Sequence, residues 1–146
     1  MNVDYIVVGL GLAGLAFVEE LINAQKTFIV FEDNSQTSSL VAGGVYNPVI
    51  LKRFTPVWNG IEQLQIALPF YKKLENKLQQ KFDVKFETKK AFKSIEDQNN
   101  WFAASDKIRL SDFMNPNIEH KKHNGVIADF GFGKLRGTGR IDTEKL

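Results

Sequence analysis

Close to its N-terminus the chain runs from Tyr5-Ile6-Val7-Val8 straight into Gly9-Leu10-Gly11-Leu12-Ala13-Gly14, and few folds accommodate that junction. The apolar run has the character of a strand covered on both faces, as in a parallel sheet. Gly-x-Gly-x-x-Gly directly after such a strand is the entry of a dinucleotide-binding βαβ unit, in which each glycine has its own task. Gly9 permits the tight turn off the strand. Gly11, without a Cβ, lets a pyrophosphate approach the backbone. Gly14 lets the next helix pack against the sheet. The N–H groups that open this helix, those of Leu12 and Ala13 among them, would face the phosphates, where the macrodipole favours negative charge. At average glycine usage this spacing arises by chance in about 5% of chains of this length, so its context decides.

The context is ordered as the chemistry requires. Leu12, Leu15, Ala16, Val18, Leu21 and Ile22 recur with helical spacing among Glu19, Glu20 and Asn23, which predicts a helix over 12–22. Asn23 to Lys26 makes a polar turn, and Thr27-Phe28-Ile29-Val30-Phe31 reads as a second strand ending at Glu32. Glu32 stands 18 positions after Gly14, near the ~20 at which a ribose-binding acid follows the glycines. A carboxylate there accepts from ribose hydroxyls and repels a 2′-phosphate. The competing reading is a plain buried βαβ unit.

The rest of the chain has a different texture. Asp33 to Gly44 is loop-like and rich in hydroxyl residues and glycine; Ser38, Ser39, Ala42, Gly43 and Gly44 lead into Asn47-Pro48. Paired glycines flanked by hydroxyls can set backbone N–H groups against an anionic or planar ligand, although a glycine-rich surface loop is the commoner case. Residues 57–78 read mostly as helix, with Ile61, Leu64, Leu68, Tyr71, Leu74 and Leu78 on one packing stripe. Pro69 is expected to kink this helix or start a second one. Val84 to Thr88 alternates as a half-buried strand, with 89–94 as its hairpin partner. Ser94 with Asp97 predicts a capped helix through Trp101 to Ala104. Asn124-Gly125 signals a turn, 126–130 and 132–135 suggest short strands, and Asp142 suggests a helix cap.

These readings predict an α/β chain with a parallel βαβ unit, followed by the start of a mixed or antiparallel domain. The change in texture places the boundary between 1–82 and 83–146. One βαβ unit is too little for a doubly wound sheet, so the expectation is the N-terminal part of a longer protein. A natural short protein that carries one such unit is the alternative.

Composition narrows the functional classes. A chain of 146 residues with 43% hydrophobic and 25% charged residues has the make-up of one ordinary globular domain. It has no cysteine, hence no disulfide framework or thiolate metal site. No apolar run suffices to cross a bilayer and Met1 is not followed by a signal-like segment, so no membrane partner is expected and the cytoplasm is the default setting. A net charge of +2 gives no independent reason to invoke nucleic acid. Arg53 is a candidate for holding an anionic substrate or a phosphate, against the commoner solvated or ion-paired arginine. His120 and His123 have helical spacing but sit beside Lys121 and Lys122 with no further ligand, so no metal site is assigned. No nucleophile with a matching histidine is evident, and the catalytic residues stay unassigned.

With Glu32 and the Gly43-Gly44 loop in place, the chain resembles the N-terminal portion of the FAD-dependent oxidoreductases of the D-amino-acid oxidase and glycine oxidase family. The likeness is strongest over 3–60 and weaker from 84 to 146. It implies a Rossmann-type FAD-binding unit, with Gly9, Gly11 and Gly14 at the pyrophosphate and Glu32 at the adenosine ribose. It further implies that Ser38, Ser39, Ala42, Gly43 and Gly44 form a second cofactor loop, with Asn47 and Pro48 passing the flavin ring. Residues 83–146 would then be part of a substrate domain and its return to the cofactor domain. The implied activity is oxidation of the CH–NH bond of an amine or amino acid by hydride transfer to flavin. The resemblance alone selects FAD over NAD. It also implies that catalysis needs further protein, either more of the same chain or an oligomer partner. Two alternatives remain open at this point: a flavoprotein domain of a tRNA-modifying enzyme, for which Lys89-Lys90 and Lys121-Lys122 are thin support, and a non-catalytic nucleotide-binding remnant.

Overall fold

The computed structural model describes residues 2–35, 38–120, 122 and 125–146. It is a mixed α/β chain with one parallel two-stranded sheet and three antiparallel sheets. Two compact units divide it: Met1–Gly44 with Asp142–Leu146, and Val45–Ile141. The change in texture at 82/83 falls inside the second unit.

In the first unit, β1 (Tyr5–Val8) pairs in parallel with β2 (Phe28–Phe31), joined by α1 (Leu12–Asn23). Asp4 and Thr27 clamp the start of both strands. The Asp4 carboxylate accepts from the Thr27 N–H and hydroxyl, both at 2.9 Å, and the Asp4 N–H donates to the Thr27 carbonyl at 3.0 Å. Register is thereby fixed at one end, with Tyr5 opposite Phe28 and Val8 opposite Phe31. Val7 and Leu21 are buried, and the Tyr5 and Phe17 rings meet edge to face at 5.8 Å. The alternate residues Ile6 and Val8 are exposed, as is Phe31. The expected loop 33–44 contains a short helix, α2 (Ser38–Val41). Asp142 does not cap a helix with its side chain. It precedes a single 3-10 turn, Thr143–Lys145, and pairs with Lys145 at 3.3 Å.

The second unit holds most of the buried apolar residues. β3 (Val45–Tyr46) and β6 (Asp83–Lys85) flank β10 (Gly139–Ile141). β4 (Val49–Ile50) and β5 (Thr55–Pro56) form a small hairpin. β9 (Phe132–Leu135) lies between β7 (Thr88–Ala91) and β8 (Met114–Glu119). The expected hairpin of 84–88 with 89–94 is therefore corrected: its two arms join different sheets, β6 pairing with β10 and β7 with β9. The sequence contains both arms but nothing that tells an arm which distant strand will pair with it.

Two helices complete this unit. α3 (Gly60–Leu78) runs as one element with Pro69 inside it, so no second helix begins there. Of its expected stripe Leu74 is buried, whereas Leu78 is exposed. α4 (Ile95–Ser105) starts where Ser94 predicts, with the Ser94 hydroxyl accepting from the Asp97 N–H at 3.1 Å. Its Trp101 is fully buried and donates from Nε1 to the Asn115 carbonyl at 2.8 Å. Phe54 and Phe92 meet Trp101 edge to face at 5.6 and 5.5 Å. Gly133 in β9 makes room for the indole: a Cβ there would lie 2.6 Å from a Trp101 ring carbon. The expected strand 126–130 is not formed. It carries an isolated bridge at Val126 and then turns into Gly131. Asn124 of the expected turn lies outside the described residues, while Gly125 adopts φ +83°.

Candidate functional site

Two glycines, Gly9 and Gly14, shape the turn between β1 and α1. Gly9 adopts φ +88°, where a side chain is strained, and its N–H donates to the Phe31 carbonyl at 2.8 Å. A Cβ on Gly14 would collide with the Gly9 carbonyl oxygen, so only glycine lets α1 start this close to the strand end. Gly11 is the N-cap of α1 with φ −65°, a conformation open to any residue. What a side chain on Gly11 would meet is Ser39, whose Oγ lies 3.2 Å from the Cβ position.

Around this turn is a cleft of about 450 Å³ at the carboxyl ends of β1 and β2, the place where open α/β sheets hold ligands. Gly9, Gly11 and Val8 form one side, Phe31, Glu32 and Asp33 another, and Ser35, Ser38 and Ser39 a third. The first intrahelical hydrogen bond of α1 runs from the Leu15 N–H to the Gly11 carbonyl at 2.9 Å. The N–H groups of Leu12, Ala13 and Gly14 precede it and have no acceptor within the helix. Ser39 Oγ receives the Leu12 N–H at 3.4 Å.

Glu32 is tied to the glycine turn. Its carboxylate accepts from the Leu10 N–H through Oε2 and from the Asn34 N–H through Oε1, the latter at 2.7 Å. Donation by Leu10 first, and then by Asn34, holds its pKa below the usual carboxylate value. A charged carboxylate thus stands beside the turn. Asp33 is held low in the same way, by the Ser35 hydroxyl and N–H, the latter donating at 2.9 Å. No lysine, arginine or histidine lines the cleft among the described residues. An anion there would be met by backbone N–H groups, the helix dipole and serine hydroxyls, with no side-chain cation among the described residues.

The cleft brings together Gly9, Gly11, Glu32, Ser38 and Ser39 of the residues singled out in the sequence, with Leu12 bonded to its Ser39. Ala42, Gly43 and Gly44 follow α2 in the same unit, and both glycines adopt left-handed backbone, φ +70° and +64°. Asn47 belongs to the second unit, where its side-chain oxygen accepts from the Val49 N–H at 2.9 Å and closes a local turn. Arg53 also lies in the second unit. Asp33 and Ser35 were not singled out by the sequence reading, although Asp-x-Ser just past a strand-ending acid is a usable turn signal.

Among the described residues no three His, Asp or Glu side chains converge on a metal-sized site. His123 and Lys121 lie outside the described residues, so the His120–His123 pair is not described. No helix among the described residues is long and apolar enough to cross a membrane. No protein-family model matches the chain, and no solved structure matches it significantly.

Proposed function

We propose that this chain is the nucleotide-binding part of a cytoplasmic FAD-dependent oxidoreductase acting on a small amine or amino acid. The observation that carries this reading is the cleft at the ends of β1 and β2, with the glycine turn on one side and the Glu32 carboxylate on the other. Its volume falls within the ~300–1,000 Å³ of ordinary ligand sites. Its donors suit a pyrophosphate, and its acceptor suits the vicinal hydroxyls of an adenosine ribose.

Each residue has a stated part. The N–H groups of Leu12, Ala13 and Gly14 bind the phosphates. Glu32 orients the ribose while its contact with Leu10 keeps the turn in shape. Ser38 and Ser39 supply hydroxyls beside the phosphates. Gly43 and Gly44 give the loop its left-handed path. When bound, flavin supplies an acceptor for the hydride on the carbon bearing the amine. The turn and Glu32 account for the ADP half of the cofactor alone, so the walls around the ring and the substrate are assigned to further protein.

The test is competition. FAD bound to the purified chain should be displaced by ADP, and an ADP carrying a 2′-phosphate should compete at least about tenfold less well because it faces Glu32. FAD binding that ADP does not displace would contradict this use of the cleft.

A further inference from the structure

The second unit has a cleft of its own, also about 450 Å³, between the β4–β5 turn and one face of α4. From the turn come Lys52, Arg53 and Phe54. From the helix come Asp97, Asn100 and, just past its end, Lys107, at the spacing that aligns residues on one helical face. Three cations against one carboxylate leave this cleft positive.

The turn that presents these cations is held in an unusual shape. β4 and β5 pair Ile50 with Thr55, which leaves Leu51 to Phe54 as the connection. Within it Phe54 adopts φ +49°, a left-handed backbone that a bulky residue rarely accepts. The conformation seats the Phe54 ring in the core, 6% exposed and edge-on to Trp101, while Lys52 and Arg53 stay at the surface. Backbone strain retained next to a polar cleft points towards function.

The charges are also uncommitted. Several cations of this unit are paired: Arg109 with Glu62 at 2.6 Å, Lys89 with Glu119 at 2.7 Å, and Lys134 with Glu87. Among the described residues none of Lys52, Arg53 and Lys107 is in an ion pair. Asp97 is one carboxylate against three cations and cannot neutralise them all; its Oδ2 accepts from the Lys93 N–H at 3.0 Å at the start of α4.

We infer that this cleft binds a phosphate group, free or as a phosphomonoester of a small molecule. A dianion matches the excess of two positive charges (three cations less one carboxylate). The Arg53 guanidinium offers two parallel donors to two phosphate oxygens, Lys52 and Lys107 act as point charges, and the Asn100 amide adds a neutral donor. A monocarboxylate would leave one cation unmatched. This inference is independent of the flavin reading, since it concerns other residues in the other unit.

Amide chemical shifts of the whole chain, followed during titration with inorganic phosphate, phenyl phosphate and acetate, test it. Both phosphates should saturate shifts at 52–54 and 97–107, with acetate at least about fivefold weaker. Tighter binding of phenyl phosphate than of inorganic phosphate identifies an organic phosphomonoester as the ligand, and equal binding identifies phosphate itself. Arg53→Gln should weaken phosphate at least about fivefold, while Arg109→Gln, a surface charge outside the cleft, should leave it unchanged. Arg53 is exposed, so an unchanged spectrum elsewhere shows that the variant folds. Acetate binding as well as phosphate, or equal loss in both variants, would overturn the assignment.

Discussion

The two units of this protein divide its labour differently. In the first, a stretch of some thirty consecutive residues builds the cleft from backbone: a glycine turn, a helix start, a strand-ending acid. Among the described residues its buried apolar side chains are Val7 and Leu21, and Ile6 and Val8 on the open face of the sheet are 64% and 82% exposed. The second unit invests in side chains. Val49, Phe54, Phe92, Trp101, Ala104, Leu110, Met114 and Leu135 form one buried cluster, drawn from five separate parts of the chain. The geometry of a cleft can thus be encoded locally with little burial, whereas a buried core requires distant segments to meet.

If that contrast holds, the greatest loss of stability should follow from Trp101→Ala. The indole is fully buried, touches two aromatic rings and satisfies its N–H within the core. Its removal should cost about 3–5 kcal/mol, read from chemical denaturation. A loss of less than about 1 kcal/mol would mean that the second unit is not the stable one.

Glu75 should have a smaller and pH-dependent effect. It is 5% exposed and accepts from the Phe82 and Asp83 N–H groups at 3.0 and 3.1 Å, with Lys81 at 3.2 Å and Lys72 at 3.4 Å. The Asp83 N–H first, then Phe82 and the lysines, hold its pKa down to about 2 from 4.5. A depressed carboxylate stabilises the fold above its unfolded pKa and loses that contribution as the pH falls towards the folded one. Stability should therefore fall between about pH 4.5 and 2. Glu75→Gln should be less stable at neutral pH and flatter across that window. A variant that keeps the full acid dependence would show that another carboxylate carries it.

What could be read in the sequence follows the same division. β1, α1 and β2 were legible because strand, glycine turn, helix and acid are neighbours, and each is signalled by its own residues. The Ser94 cap of α4 was legible for the same reason. β8 was not, because Met114-Asn115-Pro116-Asn117 lacks strand character. It pairs with β9 through an irregular register between Met114 and Ile118, where a proline is tolerated. The exchange of partners by β6 and β7 was illegible too, since Tyr46, Asp83 and Gly139 meet only once the chain is folded. There Tyr46 packs over Gly139 and donates to Asp83 at 2.8 Å. Glu32, Gly9 and Gly11, singled out in the sequence, line one cleft, but the hold of Glu32 on the Leu10 N–H is a through-space contact without a sequence signal.

The most direct test of the account lies in the first unit, at Gly11→Val. Its backbone is open to any residue, and among the described residues the close neighbour of an added Cβ is the hydroxyl of Ser39, so the fold should scarcely respond. The branched side chain would nonetheless stand where the proposed cofactor's pyrophosphate would approach. FAD titrated into wild type and variant, with circular dichroism recorded on both, separates the two effects. The account predicts ADP-competable FAD binding in wild type and its loss in Gly11→Val with an unchanged spectrum. A variant that binds FAD as tightly as wild type would contradict it.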